Sequence, residues 1–311
     1  FTLDIPNAQS EDRLILRVGA ASSCYNLWIN GEYVGYAEDS KLPSEWDVTN
    51  YLKKGENLIA MRVHAWCSGS YLEDQDMWRM GGITRPVVLY RQPAVSITDW
   101  ALHPTLDSTL QHGLYSGYVE VKNHLGHPIS YRLTLSFSDS LPVKGSKKHV
   151  SVTIPAHNTL KIPVAGCVPN VTAWSDKTPV LYLAEAVLEG QGIPRHKIAV
   201  PTGFRRVEVL DGKLYINGEL AELRGVNRHE HHPEAGQVVG LGSRANAPWL
   251  FNDLLAIKSS GFNAVRTAHY PNHEQFYQFC NMLGLYVIDE ANVESHWYMM
   301  FRPFRNLMHD N

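Results

Sequence analysis

With 311 residues, 44% hydrophobic, 19% charged and a net charge of −3, the chain has the composition of a globular protein large enough for two or three domains. There is no basic surplus to bind nucleic acid and no polybasic cluster for an anionic membrane, and no apolar run approaches the roughly 20 residues of a spanning helix. Cys24, Cys67, Cys167 and Cys280 form no Cys-x-x-Cys pair, which points to a reducing compartment, expected to be the cytoplasm.

The chain opens on Phe1-Thr2-Leu3, already strand-like and without an initiator methionine, and stops at Asp310-Asn311 with no closing element. Both ends read as cut, so the lack of a leader carries no information. The first unit, residues 1–92, is expected to be all-β. LILRV alternates, LWINGEYVGY turns at Asn30-Gly31, and NLIAMRVHAW and RPVVLYR supply further strands. Pro93 marks a joint. Residues 93–201 then carry a second β series with turn signals every ten to fifteen residues, the spacing of an immunoglobulin-like sandwich. From 202 the pattern changes. After a small hairpin at Asn217-Gly218, strand and helix alternate. LRGVN, FNAVRTAHY and LYVIDEA read as strands. One helix is expected from about Pro248, with Leu250, Leu254 and Ile257 on one face and a stop at Gly261. The next is expected from Asn272, with Gln275 as its capping-box partner and Gly284 as its end. Each strand turns polar at its C-terminal end, where parallel α/β folds build their sites. Three such units are an incomplete barrel, since eight need roughly 250 residues.

Four stretches could carry chemistry. In RGVNRHEHHP, His229 and His231 alternate onto one side of an extended chain; this could be a polar strand end, a transition-metal half-site or a pair of hydrogen-bond donors. His269 stands at the equivalent point of the next strand, with Arg266 below it to fix a carboxylate. In DEANVESH, Glu290 and Glu294 could form a glycosidase pair, or Glu294 and His296 half of a magnesium or manganese site, or the whole could be a solvated loop. EDQDMW joins three carboxylates to Trp78, as a surface loop or as an acid beside a stacking platform for a sugar.

SYLEDQDMWRM, LRGVNRHEHHP, FNAVRTAHYPNH and GLYVIDEANVESH together, in this order and spacing, resemble the β-galactosidases of glycoside hydrolase family 2. The resemblance implies a jelly-roll sugar-binding domain (1–92), an immunoglobulin-like domain (93–201) and the first three β/α units of a TIM barrel (202–311). It implies retaining hydrolysis of terminal β-D-galactosides and a homo-oligomer as the complete enzyme. By the same resemblance Asp76 binds a galactose hydroxyl and a sodium ion. His229 and His269 contact galactose and stabilise the transition state, and Glu294 and His296 bind magnesium. The family's acid/base and nucleophilic glutamates belong to the fourth and seventh barrel strands, so neither is expected here, and neither is the asparagine near the start of the jelly roll. The chain also departs from the family in VVGLGSRANAPW, although Asp253 fits, and after His296, where Trp297 stands for the usual glycine. The competing expectation is an inactive carbohydrate-binding or interaction fragment.

Overall fold

Apolar alternation builds two three-stranded sheets at the start of the computed structural model, which describes residues 1–3, 11–138, 147–190, 194–234, 236–237 and 247–295. Arg13–Ser22 lies between Ser44–Asp47 and Gly82–Gln92, and Cys24–Ile29 lies between Glu32–Glu38 and Ile59–His64, all antiparallel. Leu16, Val18, Tyr25, Leu27, Ile29 and Val48 form the shared core. The expected turn is there: Asn30 and Gly31 have φ of 52° and 89°, and Ile29 pairs with Glu32.

Among its described residues the second unit has seven strands in two antiparallel sheets. Gly113–Asn123 lies between Val95–Leu106 and Thr159–Val168. The other sheet runs in the order Lys148–Ile154, Ile129–Ser138, Tyr182–Glu189, His196–Thr202. Val119, Val121, Leu133, Leu135, Ile154, Val168 and Leu188 fill the space between them. Gly117 has φ 148°, and a Cβ there would lie 2.0 Å from the Ala101 carbonyl oxygen, so this strand crossing requires glycine.

After a hairpin of Val207–Leu210 and Lys213–Ile216, the chain forms a parallel sheet of Gly225–Arg228, Ala264–Thr267 and Tyr286–Ile288 in sequential order. Helices Ala247–Ser259 and Glu274–Leu283 connect these strands. Leu250, Leu254, Val265, Phe276, Cys280 and Leu285 are the core between helices and sheet. The cap of the second helix falls one residue later than the sequence suggests. Its N-cap is His273, whose ring accepts from the Gln275 amide, while Asn272 turns inward, donating to the Tyr270 carbonyl and accepting from Arg228. Asn272 therefore bridges the first two strand ends instead of capping. Gly284, at φ 70°, ends the helix as expected.

Buried polar contacts join the units. The indole of Trp174, 2% exposed, donates to the Asn281 carbonyl at 2.9 Å and packs edge-on against Tyr286. Lys258 Nζ donates to the carbonyls of Asp176 and Gly284. Among the described residues no helix is long and apolar enough to cross a membrane.

Candidate active site

The parallel register sets Asn227 beside Arg266 and Arg228 beside Thr267, so the residues just beyond each strand emerge along one rim. There His229 and His269 meet edge to face, ring centroids 5.4 Å apart. His269 Nδ1 lies 2.9 Å from Glu290 Oε2. The other oxygen of Glu290 accepts from Arg266, through Nε at 2.8 Å and through Nη2. Arg266 thus fixes a carboxylate beneath the rim, as its position in the sequence suggests. Glu290 is not free to act as one of a hydrolytic pair. Asp289 accepts from Thr267 Oγ1 at 3.0 Å and from the Tyr277 hydroxyl at 2.7 Å. Burial, and then the bond to Asp289, raise the Tyr277 hydroxyl far above the ordinary phenol value. Burial lowers His229, and its neighbours His269 and His231 add to the effect, so the neutral imidazole is favoured.

A buried charge cluster ties the first unit to this rim. Glu230 is 2% exposed and accepts from Arg85 Nη2 at 2.9 Å, from Arg85 Nε at 3.2 Å and from the His273 amide. Arg85 also donates to the Pro271 carbonyl at 2.7 Å and to the Lys41 carbonyl. Lys41, itself 2% exposed, places its ammonium 4.0 Å from the Tyr270 ring centroid. Burial brings Lys41 down to about 8, with the Glu230 charge opposing the shift. Burial likewise pushes the Tyr270 hydroxyl up to about 12. Arg228, also buried, donates to Asp253 at 2.5 Å, which gives Asp253 a structural task.

The EDQDMW stretch is an interdomain contact. The Asp74 amide donates to the Glu294 carbonyl at 2.8 Å and the Glu294 amide to the Leu72 carbonyl at 2.7 Å, a short parallel bridge. Buried Gln75 donates to Asn292 at 2.9 Å, and Asn292 donates to Asp39 at 3.2 Å. Glu73 accepts from the amide and hydroxyl of Ser40. Trp78 stacks on His231, centroids 4.6 Å apart, and its carbonyl accepts from Gln237. Asp76 is exposed, and no hydrogen bond holds it among the described residues.

The sequence-predicted residues therefore divide. His229 and His269 come together; Asp76 lies on the loop that pairs with Glu294; His296 lies outside the described residues. His231 and His229 take different ring partners, Trp78 and His269, which disfavours a shared transition metal. Among the described residues no three His, Cys, Asp or Glu side chains stand together as a metal-binding group. For the implied magnesium the described residues contribute Glu294, a hard oxygen donor whose backbone is held at both sides by the Leu72–Asp74 segment, which suits that ion. Sequence reasoning missed the cluster of Lys41, Arg85 and Glu230: they are more than forty residues apart, and although Glu230 stands in RGVNRHEHHP nothing there reveals its partners. It also missed that Glu290 serves His269; the only signal was the expectation of a carboxylate for Arg266.

Comparison with known proteins gives three consecutive matches to models of one family. They are the glycosyl hydrolases family 2 sugar binding domain at residues 1–93, the family 2 domain at 95–205 and the family 2 TIM barrel domain at 207–309. The chain is 39% identical to a β-galactosidase of Vibrio cholerae over 304 residues, covering 95% of this chain and 28% of that protein. It is 40% identical to a β-galactosidase of Pectobacterium atrosepticum over 283 residues, covering 88% and 26%. The chain thus spans about a quarter of the length of the curated relatives it matches. A Bacteroides uniformis β-glucuronidase structure has the same fold, with a TM-score of 0.83 at 23% identity, over 94% of this chain and 35% of that one. A structure described as a putative β-galactosidase of Bacteroides fragilis matches with a TM-score of 0.80 at 24% identity, over 92% and 43%.

Proposed function

The chain belongs to the glycosyl hydrolases of family 2, and on that premise we propose that it supplies the sugar-facing and metal-facing shell of a retaining β-galactosidase acting on terminal β-D-galactose, as in lactose. The observation that carries this reading is the rim itself: two imidazoles, one backed by a carboxylate, at the C-terminal ends of parallel strands, in a chain closely related to β-galactosidases. His229 and His269 hold ring hydroxyls with hydrogen bonds that strengthen as the ring flattens toward an oxocarbenium-like transition state. Asp76, from the first unit, would bind a sugar hydroxyl and sodium. Glu294 and His296 would hold magnesium, which would supply fixed positive charge to the site.

In this reading the two catalytic glutamates come from barrel strands beyond these residues, and residues 1–311 alone do not turn over a galactoside. The first unit (1–92) is a jelly roll, the second (93–201) immunoglobulin-like, and residues 202–311 open a TIM barrel. The complete enzyme is a cytoplasmic homo-oligomer.

The test is kinetic. In the complete enzyme His269→Ala is expected to lower kcat on a nitrophenyl β-D-galactoside by about 100-fold, in line with losing one preorganised hydrogen-bond partner of the transition state. Unchanged kinetics would remove His269 from the sugar site.

A further inference from the structure

Glu290 has a job that the sugar-site reading does not assign. One oxygen receives two N–H donors from Arg266, and the other faces His269 Nδ1 at 2.9 Å. A carboxylate that pairs with a guanidinium can only accept hydrogen bonds. The Nδ1 of His269 must therefore be the donor. Its Nε2 then carries the lone pair in the neutral ring. The Thr267 hydroxyl accepts from the Glu290 amide at 2.9 Å and donates to Asp289, so the backbone beneath the carboxylate is also held.

We propose that Glu290 is a positioning residue that fixes His269 as the Nδ1–H tautomer and turns its Nε2 outward as an acceptor for a substrate hydroxyl, with Arg266 holding Glu290 in place. The part concerning the hydroxyl rests on the sugar-site reading; the tautomer does not. Orienting partners of this kind, where they back metal-bound histidines, change activity by about 10–100-fold when removed. The expected polarity is specific: the sugar hydroxyl donates a hydrogen bond to Nε2, and Nδ1–H donates one to Glu290.

The experiment has two readouts. First, two-bond ¹H–¹⁵N correlation spectra of the imidazole groups are recorded on the chain with ¹⁵N-labelled histidine, with His269→Ala used to assign the ring. The expected result is a protonated Nδ1 and an unprotonated Nε2 for neutral His269. Glu290→Gln keeps an acceptor for Arg266 but can turn an amide N–H toward Nδ1, so Nδ1 is expected to lose its proton. The His231 signals, which report the Trp78 contact, should stay in place and show that the fold is intact. An unprotonated Nδ1 in the native chain, or a tautomer unchanged in Glu290→Gln, overturns the proposal. Second, in the complete enzyme Glu290→Gln should lower kcat about 10–100-fold with KM changed much less. Added to His269→Ala, it should cost less than about 2-fold more, because the two residues act as one unit. A tautomer that switches as expected while neither His269→Ala nor Glu290→Gln changes turnover would uphold the positioning role and reject the sugar-site reading.

Discussion

Removing the Glu230 charge should destabilise the chain more than any surface change. Glu230 and its partners Arg85 and Lys41 are 2%, 4% and 2% exposed, so water screens none of them. Glu230→Gln is nearly isosteric and can still accept from the His273 amide. What it loses is the anion that Arg85 addresses at 2.9 and 3.2 Å and that holds Lys41 up against the effect of burial. Arg85 is then a buried cation without its carboxylate, and Lys41 keeps only the weaker pull of Glu73 and Asp39. Breaking a buried pair in this way costs about 3–5 kcal/mol. The exposed ion pair between Arg17 and Glu274 links the same two units, yet its loss should cost under about 1 kcal/mol. Urea unfolding followed by tryptophan fluorescence would measure both. The double variant Arg85→Met/Glu230→Leu should lose less than Glu230→Gln alone, because it removes both charges instead of stranding one. A loss below about 1 kcal/mol for Glu230→Gln would refute the claim that this cluster holds the first unit on the barrel rim.

Other outcomes follow from the same contacts. Lys41 titrates at about 8 when folded against 10.5 ordinarily, so the unfolded chain binds more protons between those values. Stability should therefore rise from pH 8 to 10.5, by on the order of 3 kcal/mol relative to Lys41→Met, as read from paired denaturation curves. Trp174→Ala removes a buried indole and its bond to Asn281 and should cost about 3–5 kcal/mol in urea unfolding. Asp76→Asn should leave stability within about 0.5 kcal/mol, because the side chain is exposed, while lowering sodium-dependent galactoside turnover in the complete enzyme.

The units that repeat a pattern could be read from the sequence. Both Asn-Gly turns sit where their φ > 0 requirement put them, and the apolar faces Leu250/Leu254 and Phe276/Cys280 became the helix–sheet core. The polar strand ends at His229 and His269 likewise signalled a shared rim. What stayed hidden depends on contacts between distant segments. Nothing local in Lys41 or Arg85 reveals that Glu230 lies 145 residues away in sequence from Arg85 and within hydrogen-bond reach. The loop at Glu73 shows carboxylates, but its pairing with Glu294 is a backbone bridge that side-chain identity does not encode. The cap of the second helix was misplaced by one residue because Asn272, a good cap by type, was more strongly required by Arg228 and Tyr270.

The measurement that addresses the central claim most directly is the hydrolysis of nitrophenyl β-D-galactoside against nitrophenyl β-D-glucuronide by the complete protein that carries these residues, with magnesium and sodium present. The fold is shared with β-glucuronidases, so the fold alone does not choose between these sugars. The account predicts a kcat/KM for the galactoside at least about 100-fold above that for the glucuronide, the scale of a site built to hydrogen-bond one sugar's polar groups. Preference for the glucuronide, or no turnover of the galactoside, would contradict it.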